Sequence, residues 1–126
     1  MPVTFSEIPG LSVTVDQVVY APKLNAPPDK PHPFAYYLSI HNQSDEAVTI
    51  LGRKWIVTES GGGTLVVEGD GVVGQMPRLE PGQTFSYNSY HVIGEPCRAS
   101  GTFFGQTDSG RAVYVRVPDF RMELPA

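Results

Sequence analysis

Apolar residues recur at every second position in this chain, and they do so in short runs cut by turns. In LSVTVDQVVY, Leu11, Val13 and Val15 fall on one side, with Ser12, Thr14 and Asp16 on the other. In FAYYLSIHN, Phe34, Tyr36, Leu38 and Ile40 alternate with Ala35, Tyr37, Ser39 and His41. A period of two places successive side chains on opposite faces of a strand. No stretch of helix length carries a 3.6-residue period. TLVVEG, TFSYNSYHVI, RASGTFFGQT and AVYVRVPDFRMEL bring the expected number of strands to about seven. Strands at this spacing without helices predict an all-β fold, a sandwich of about seven antiparallel strands.

The connections agree with that pattern. EPGQ places Pro81 and Gly82 as a type II turn requires. TDSGR reads as a hairpin with Gly110 at positive φ. The 13 glycines and 12 prolines are spread along the chain, which indicates many turns rather than a disordered tract. Residues 21–33, APKLNAPPDKPHP, hold five prolines and predict a stiff extended loop between the first two strands. Residues 1–126 read as one domain, with about ten N-terminal residues as an extended arm.

One strand breaks its own rule. VTILGRKWIV begins with Val48 and Ile50 inward, but Trp55 and Val57 carry the apolar bulk at its end. The phase has moved by one residue, which a strand accomplishes only through an extra residue. Gly52 marks the expected bulge. The consequence is an inward Trp55 beside Phe34 or Phe85. The other reading of Trp55 is an aromatic anchor for a protein partner, with Arg53 two residues away serving an anion or carboxylate.

GDGVVG, residues 69–74, has the G-x-G-x-x-G spacing of dinucleotide-binding turns. Such turns need a helix opening after the last glycine. Pro77 and Pro81 forbid one here. Two readings of Gly69, Gly71 and Gly74 remain: a structural loop with positive φ, or a nest of N–H groups that binds a phosphate-like anion with Arg78 and Arg53. Glu68 and Asp70 oppose an anion at that place.

The run VEGDGVVGQMPRLEPGQTFSY, with FAYYLSIHNQS, RKWIVTE and VRVPDF in this order, resembles the ApaG (CorD) family from about Leu11 to Pro125. The resemblance implies a fibronectin type III-like, immunoglobulin-like β-sandwich acting as a binding or adaptor module. The family occurs as free-standing bacterial proteins and as a domain in an F-box protein and a polymerase-interacting protein. It also implies an association with cobalt and magnesium resistance and with the genetic neighbourhood of diadenosine tetraphosphate hydrolysis. The chain departs from the family pattern at Lys54, where a His is common, at Tyr90, where a Gly is common, and in GTFFGQT, where Met and Tyr are lost.

The net charge of −4 argues against a nucleic-acid partner. No apolar run reaches membrane-spanning length, and MPVTFSEIPG lacks the features of a signal peptide. The single Cys97 has no internal partner, so a reducing, cytoplasmic setting is expected. His32, His41 and His91 form no ligand pair, so no metal site and no cofactor are expected. His91 reads as a hydrogen-bonded residue at the core edge, and Cys97 as a small buried hydrophobe or an incidental surface thiol. No nucleophile, base and oxyanion donor assemble from these motifs, and the chain is expected not to be an enzyme. The expected partner is an unidentified protein reached through a sheet face or edge. The alternatives are a phosphate-containing small molecule at the glycine loop and divalent-cation handling. Both a monomer and a homodimer suit the sequence.

Overall fold

The computed structural model describes residues 4–125. It has two antiparallel sheets and, among the described residues, no helix. The strands are β1 (Leu11–Tyr20), β2 (His32–Asn42), β3 (Val48–Glu59), β4 (Thr64–Asp70), β5 (Arg78–Leu79), β6 (Thr84–Ile93), β7 (Cys97–Thr107) and β8 (Ala112–Met122). One sheet has the order β1-β2-β6. The other has β4-β3-β7-β8, with the short β5 also paired to β3. The count is eight strands rather than about seven because β5 is only two residues long.

The alternation in the sequence becomes the core. Phe34, Tyr36, Leu38 and Ile40 of β2 are all buried, as are Val48, Ile50, Trp55 and Val57 of β3. The predicted turns form, with Gln83 N–H donating to Glu80 O and positive φ at Gly82 and Gly110. The N-terminal arm is docked as far as it is described. Ser6 pairs in parallel with Val113, and the Phe5 ring meets Phe104 edge-on at 5.2 Å.

The bulge in β3 is present. Ile50 pairs with Gly105 and Gly52 with Phe104, which leaves Leu51 as the extra, exposed residue. Two further irregularities lie where no break was expected. In β1 the register slips between Val15 and Gln17, so Asp16 is the extra residue. In β8, Ala99 of the neighbouring strand pairs with Phe120 while Gly101 pairs with Val117. Each slip moves the apolar side chains to the opposite parity, which is why Val18 and Tyr20, then Phe120 and Met122, face the core.

Trp55 is 2% exposed, but its neighbours differ from those expected. Its indole lies 5.2 Å from Tyr36, 5.0 Å from His91 and 5.8 Å from Phe120. Phe34 turns instead to Tyr20, and Phe85 to Tyr87. Gly101 of β7 sits opposite Trp55, and a Cβ there would come within 2.6 Å of the indole. The tryptophan occupies the space that a side chain at 101 would need.

Trp55→Ala is therefore expected to cost about 3–5 kcal/mol, because the hole is ringed by rigid aromatics that cannot collapse into it. Chemical denaturation of the variant measures this. A loss below about 1 kcal/mol would show that the cluster does not join the two sheets.

Candidate functional site

The glycine loop is closed by its own backbone. After β4, Gly71 N–H donates to Leu51 O at 2.7 Å. Val72 and Gln75 exchange backbone hydrogen bonds at 2.6 and 2.9 Å, closing a two-residue turn over Val73 and Gly74. Gly71, Val73 and Gly74 have φ of 62°, 47° and 77°. Val73 is a β-branched residue in the left-handed region, a costly place for it. At Gly71 the restriction is double: φ is positive, and a Cβ would meet Gln75 O at 2.2 Å. The loop leads into the proline-bracketed segment before β5, not into a helix.

The expected anion site is not gathered. Three of the loop's amides, those of Gly71, Val72 and Gln75, already donate within the chain. The loop turns carbonyls rather than N–H groups toward Arg53, whose Nη1 donates to Asp70 O at 2.8 Å and to Gly71 O at 3.2 Å. The guanidinium lies over Gly69, 2.8 Å from where a Cβ would be. Arg78 is engaged elsewhere, by Asp108 and Glu80. Those two carboxylates hold its pKa well above the ordinary arginine range. In turn Arg78 holds the Asp108 carboxyl below its usual range. Of Gly69, Gly71, Gly74, Arg53 and Arg78, the fold joins Arg53 to the loop and leaves Arg78 apart.

Trp55, offered as an anchor, belongs to the core. Its neighbour His91 is enclosed with it, 4.7 Å from the Tyr36 ring. Burial pushes the His91 pKa down to about 4, and its Nε2 has no hydrogen-bond partner, contrary to expectation. Tyr87 Oη is likewise buried and unpartnered. Its pKa is raised by burial, with Tyr36 adding to the shift. Cys97 is buried, donates its thiol to Glu95 O at 3.1 Å, and is pushed up in pKa by that burial. No group of three or more His, Cys, Asp or Glu among the described residues is placed to hold a metal ion.

The outer face of the three-stranded sheet is more distinctive. Register places Val19, Ala35 and Tyr90 in one row across β1, β2 and β6, and Gln17, Tyr37 and Asn88 in the next. The proline-rich loop folds toward this face, where Tyr90 Oη donates to Asn25 O at 3.2 Å. Between loop and sheet lies a groove of about 650 Å³ bounded by Leu24, Ala35, Tyr37 and Tyr90. Val19, Leu24, Tyr37 and Tyr90 are 36%, 40%, 40% and 41% exposed. Farther along the same face, Asp16 accepts hydrogen bonds from Ser39 and Thr14. Those bonds, Ser39's first, lower its pKa. His41 bridges Thr14 at 2.9 Å and Thr84 at 3.0 Å. The sequence reading missed this groove. Its signal was present in the outward positions Ala35 and Tyr37, but which strand stands beside β2 is not written in local pattern.

A two-sheet sandwich with a turn-forming glycine run and a tyrosine-bearing outer groove is the class of protein so far defined. The family profile described as "ApaG domain" matches residues 22–106. Protein ApaG of Acidithiobacillus ferrooxidans is 36% identical over 104 residues, 82% of each chain. Protein ApaG of Bdellovibrio bacteriovorus is 34% identical over 121 residues, 95% of this chain and 94% of that one. The crystal structure of the ApaA protein from Bordetella pertussis superposes with a TM-score of 0.81 at 30% identity, covering 98% of both chains. The chain belongs to the ApaG family.

The enclosed imidazole sets a pH dependence. Unfolded, His91 titrates near 6.5, whereas folded it stays neutral to about 4. Between those values the unfolded chain binds the extra proton, so acidification destabilises the fold by roughly 3 kcal/mol at most. Stability from this source is full above about pH 6.5 and is lost progressively down to about pH 4. His91→Phe keeps a ring in the cluster and removes this part of the slope. Urea midpoints measured from pH 7 to 4 on both proteins test it, and parallel curves would refute the burial of a neutral His91. For the loop, Gly71→Ala is expected to cost more than about 1 kcal/mol, read from the same denaturation curves.

Proposed function

We infer that this ApaG-family chain is a non-enzymatic binding module whose ligand is another protein. The observation that carries the reading is the groove under the proline-rich loop. Monomeric domains seldom leave adjoining large apolar groups exposed on one face without a use for them. Tyrosine is suited to such a surface, because its ring buries much area at low entropic cost and its hydroxyl remains able to hydrogen-bond. The prolines at 22, 27, 28, 31 and 33 support the same reading. They stiffen one wall, so less ordering is left to the moment of binding. An anion site at the glycine loop receives no comparable support, since Arg78 is neutralised elsewhere and the loop's carbonyls face Arg53.

The test is a pair of groove variants, Tyr37→Ala and Tyr90→Ala, against Ile56→Thr on the opposite sheet. Proteins retained by the wild-type chain should be identified and their affinities measured with purified components. Each tyrosine variant is expected to weaken binding by about thirtyfold or more, the loss typical of a central interface residue, with Ile56→Thr unchanged. Equal affinity for all four proteins would remove the groove from the interface.

A further inference from the structure

The two sheets are unequal, and the mismatch leaves a slot one strand wide. β6 ends its sheet: β2 is its hydrogen-bonded neighbour, and no described strand lies on its other side. Its ten residues, TFSYNSYHVI, include no proline and no charged side chain, and its register with β2 is unbroken. Edge strands are normally blunted by just those devices.

The opposing sheet extends past this edge. Inward side chains of β6 pack on β3 and β7, through His91 against Trp55 and Tyr87 against Phe103 at 6.2 Å. At the other side of the sandwich β1 packs against β8. That leaves β4 with no described strand above it. Cross-strand register puts Leu65 on the same inner face as Val57, and Val67 on that of Trp55. Yet Leu65 is 41% exposed while Val57 is 4%. Among the described residues, the buried side-chain polar atoms without partners, Tyr87 Oη and His91 Nε2, both come from β6.

We propose that a single extended segment of a partner protein adds to the free edge of β6 and roofs β4, completing the smaller sheet. The width of the slot selects this occupant over a second copy of the chain. Neighbouring strands lie about 4.8 Å apart. If β6 paired with β6 of another copy, the β3 strand beneath that copy would have to lie where β4 already lies. One strand fits, and a whole sandwich does not. Backbone pairing supplies affinity, and alternate side chains supply selectivity. Those facing inward are aliphatic, to cover Leu65 and Val67. At the Gly69 end the segment carries an acidic residue, because Arg53 donates to two carbonyls and forms no salt bridge among the described residues. This site is separate from the tyrosine groove, which lies on the outer face of the same sheet.

The probe is a random dodecapeptide display library selected against the intact chain, followed by amide hydrogen exchange on the free protein and on its complex with a selected peptide. In the free protein the outward amides of β6 should exchange quickly. Selected peptides should alternate aliphatic with other residues, include an Asp or Glu, and slow exchange at alternate positions between Tyr87 and His91. Leu65→Lys, and the milder Leu65→Ser if the first folds poorly, should weaken them by about tenfold or more, while Ile56→Thr, exposed on the far face of β3, leaves them unchanged. The proposal is overturned if those amides are already protected in the dilute free protein. It is also overturned if no peptide is selected, if bound peptides leave β6 exchange untouched, if Leu65 variants bind equally well, or if β6 protection comes from dimerisation.

Discussion

The extra residue in β3 determines which way half of the larger sheet points, and most of the interior follows from it. Without Leu51, Trp55 and Val57 would turn to the outside and Lys54 and Ile56 to the inside. With it, Val48 and Ile50 before the bulge and Trp55 and Val57 after it all face β2 and β6. A strand bends and twists more strongly at a bulge. Here that also sets Arg53 on the inner face, where its guanidinium reaches back over Gly69 to the carbonyls of Asp70 and Gly71. The loop conformation and the aromatic core are thus two consequences of one insertion. Gly101 is the complementary concession from β7, leaving room for an indole where a methyl group would collide.

How far this was legible depended on the size of the side chains that changed sides. The break near Gly52 could be read because a tryptophan appeared at the wrong parity. The break at Asp16 has the same logic, with Val13 and Val15 giving way to Val18 and Tyr20, but Val19 continues the run and hides the change. In β8, AVYVRVPDFRMEL read as one strand, and the change from Val113, Val115 and Val117 to Phe120 and Met122 across Pro118 and Asp119 went unread. β5 was too short to show any period. The positive φ of Gly71 and Gly74 followed from residue type and the prolines after them. The fate of the loop's N–H groups did not, because it depends on Leu51 O, which the bulge presents, and on the mutual pairing of Val72 and Gln75.

The candidate surfaces were illegible for a related reason. Arg78 was expected beside the glycine loop because it is close in sequence. Its true partner Asp108 is 30 residues away, brought there when β5 pairs with β3 beside β7. Alternation tells which residues of a strand share a face, but not which strand stands alongside. Tyr37 and Tyr90 become neighbours only once β2 and β6 pair, and the overhang of β4 exists only because one sheet received three strands and the other received more. Both surfaces therefore arise at the level of topology.

The same strand serves both surfaces, and its chemistry is divided accordingly. Ser86, Asn88 and Tyr90 of β6 point outward toward the groove side, while Phe85, Tyr87, Ser89 and His91 point inward. The inward set costs stability in a way the outward set does not: burying a hydroxyl and an imidazole nitrogen without partners is penalised by roughly 1–3 kcal/mol each. An apolar core would be served better by Phe at both positions. The chain keeps such polar atoms at the unblunted edge of β6, whereas Asn42 is closely satisfied. That side chain is fully buried, yet it donates to the carbonyls of Glu46 and Leu79 and accepts two bonds from Ser44. A fold able to satisfy Asn42 so completely is not short of means. The unsatisfied pair on β6 is best understood with the open edge beside it, as two aspects of a sheet that is one strand narrower than the surface it covers.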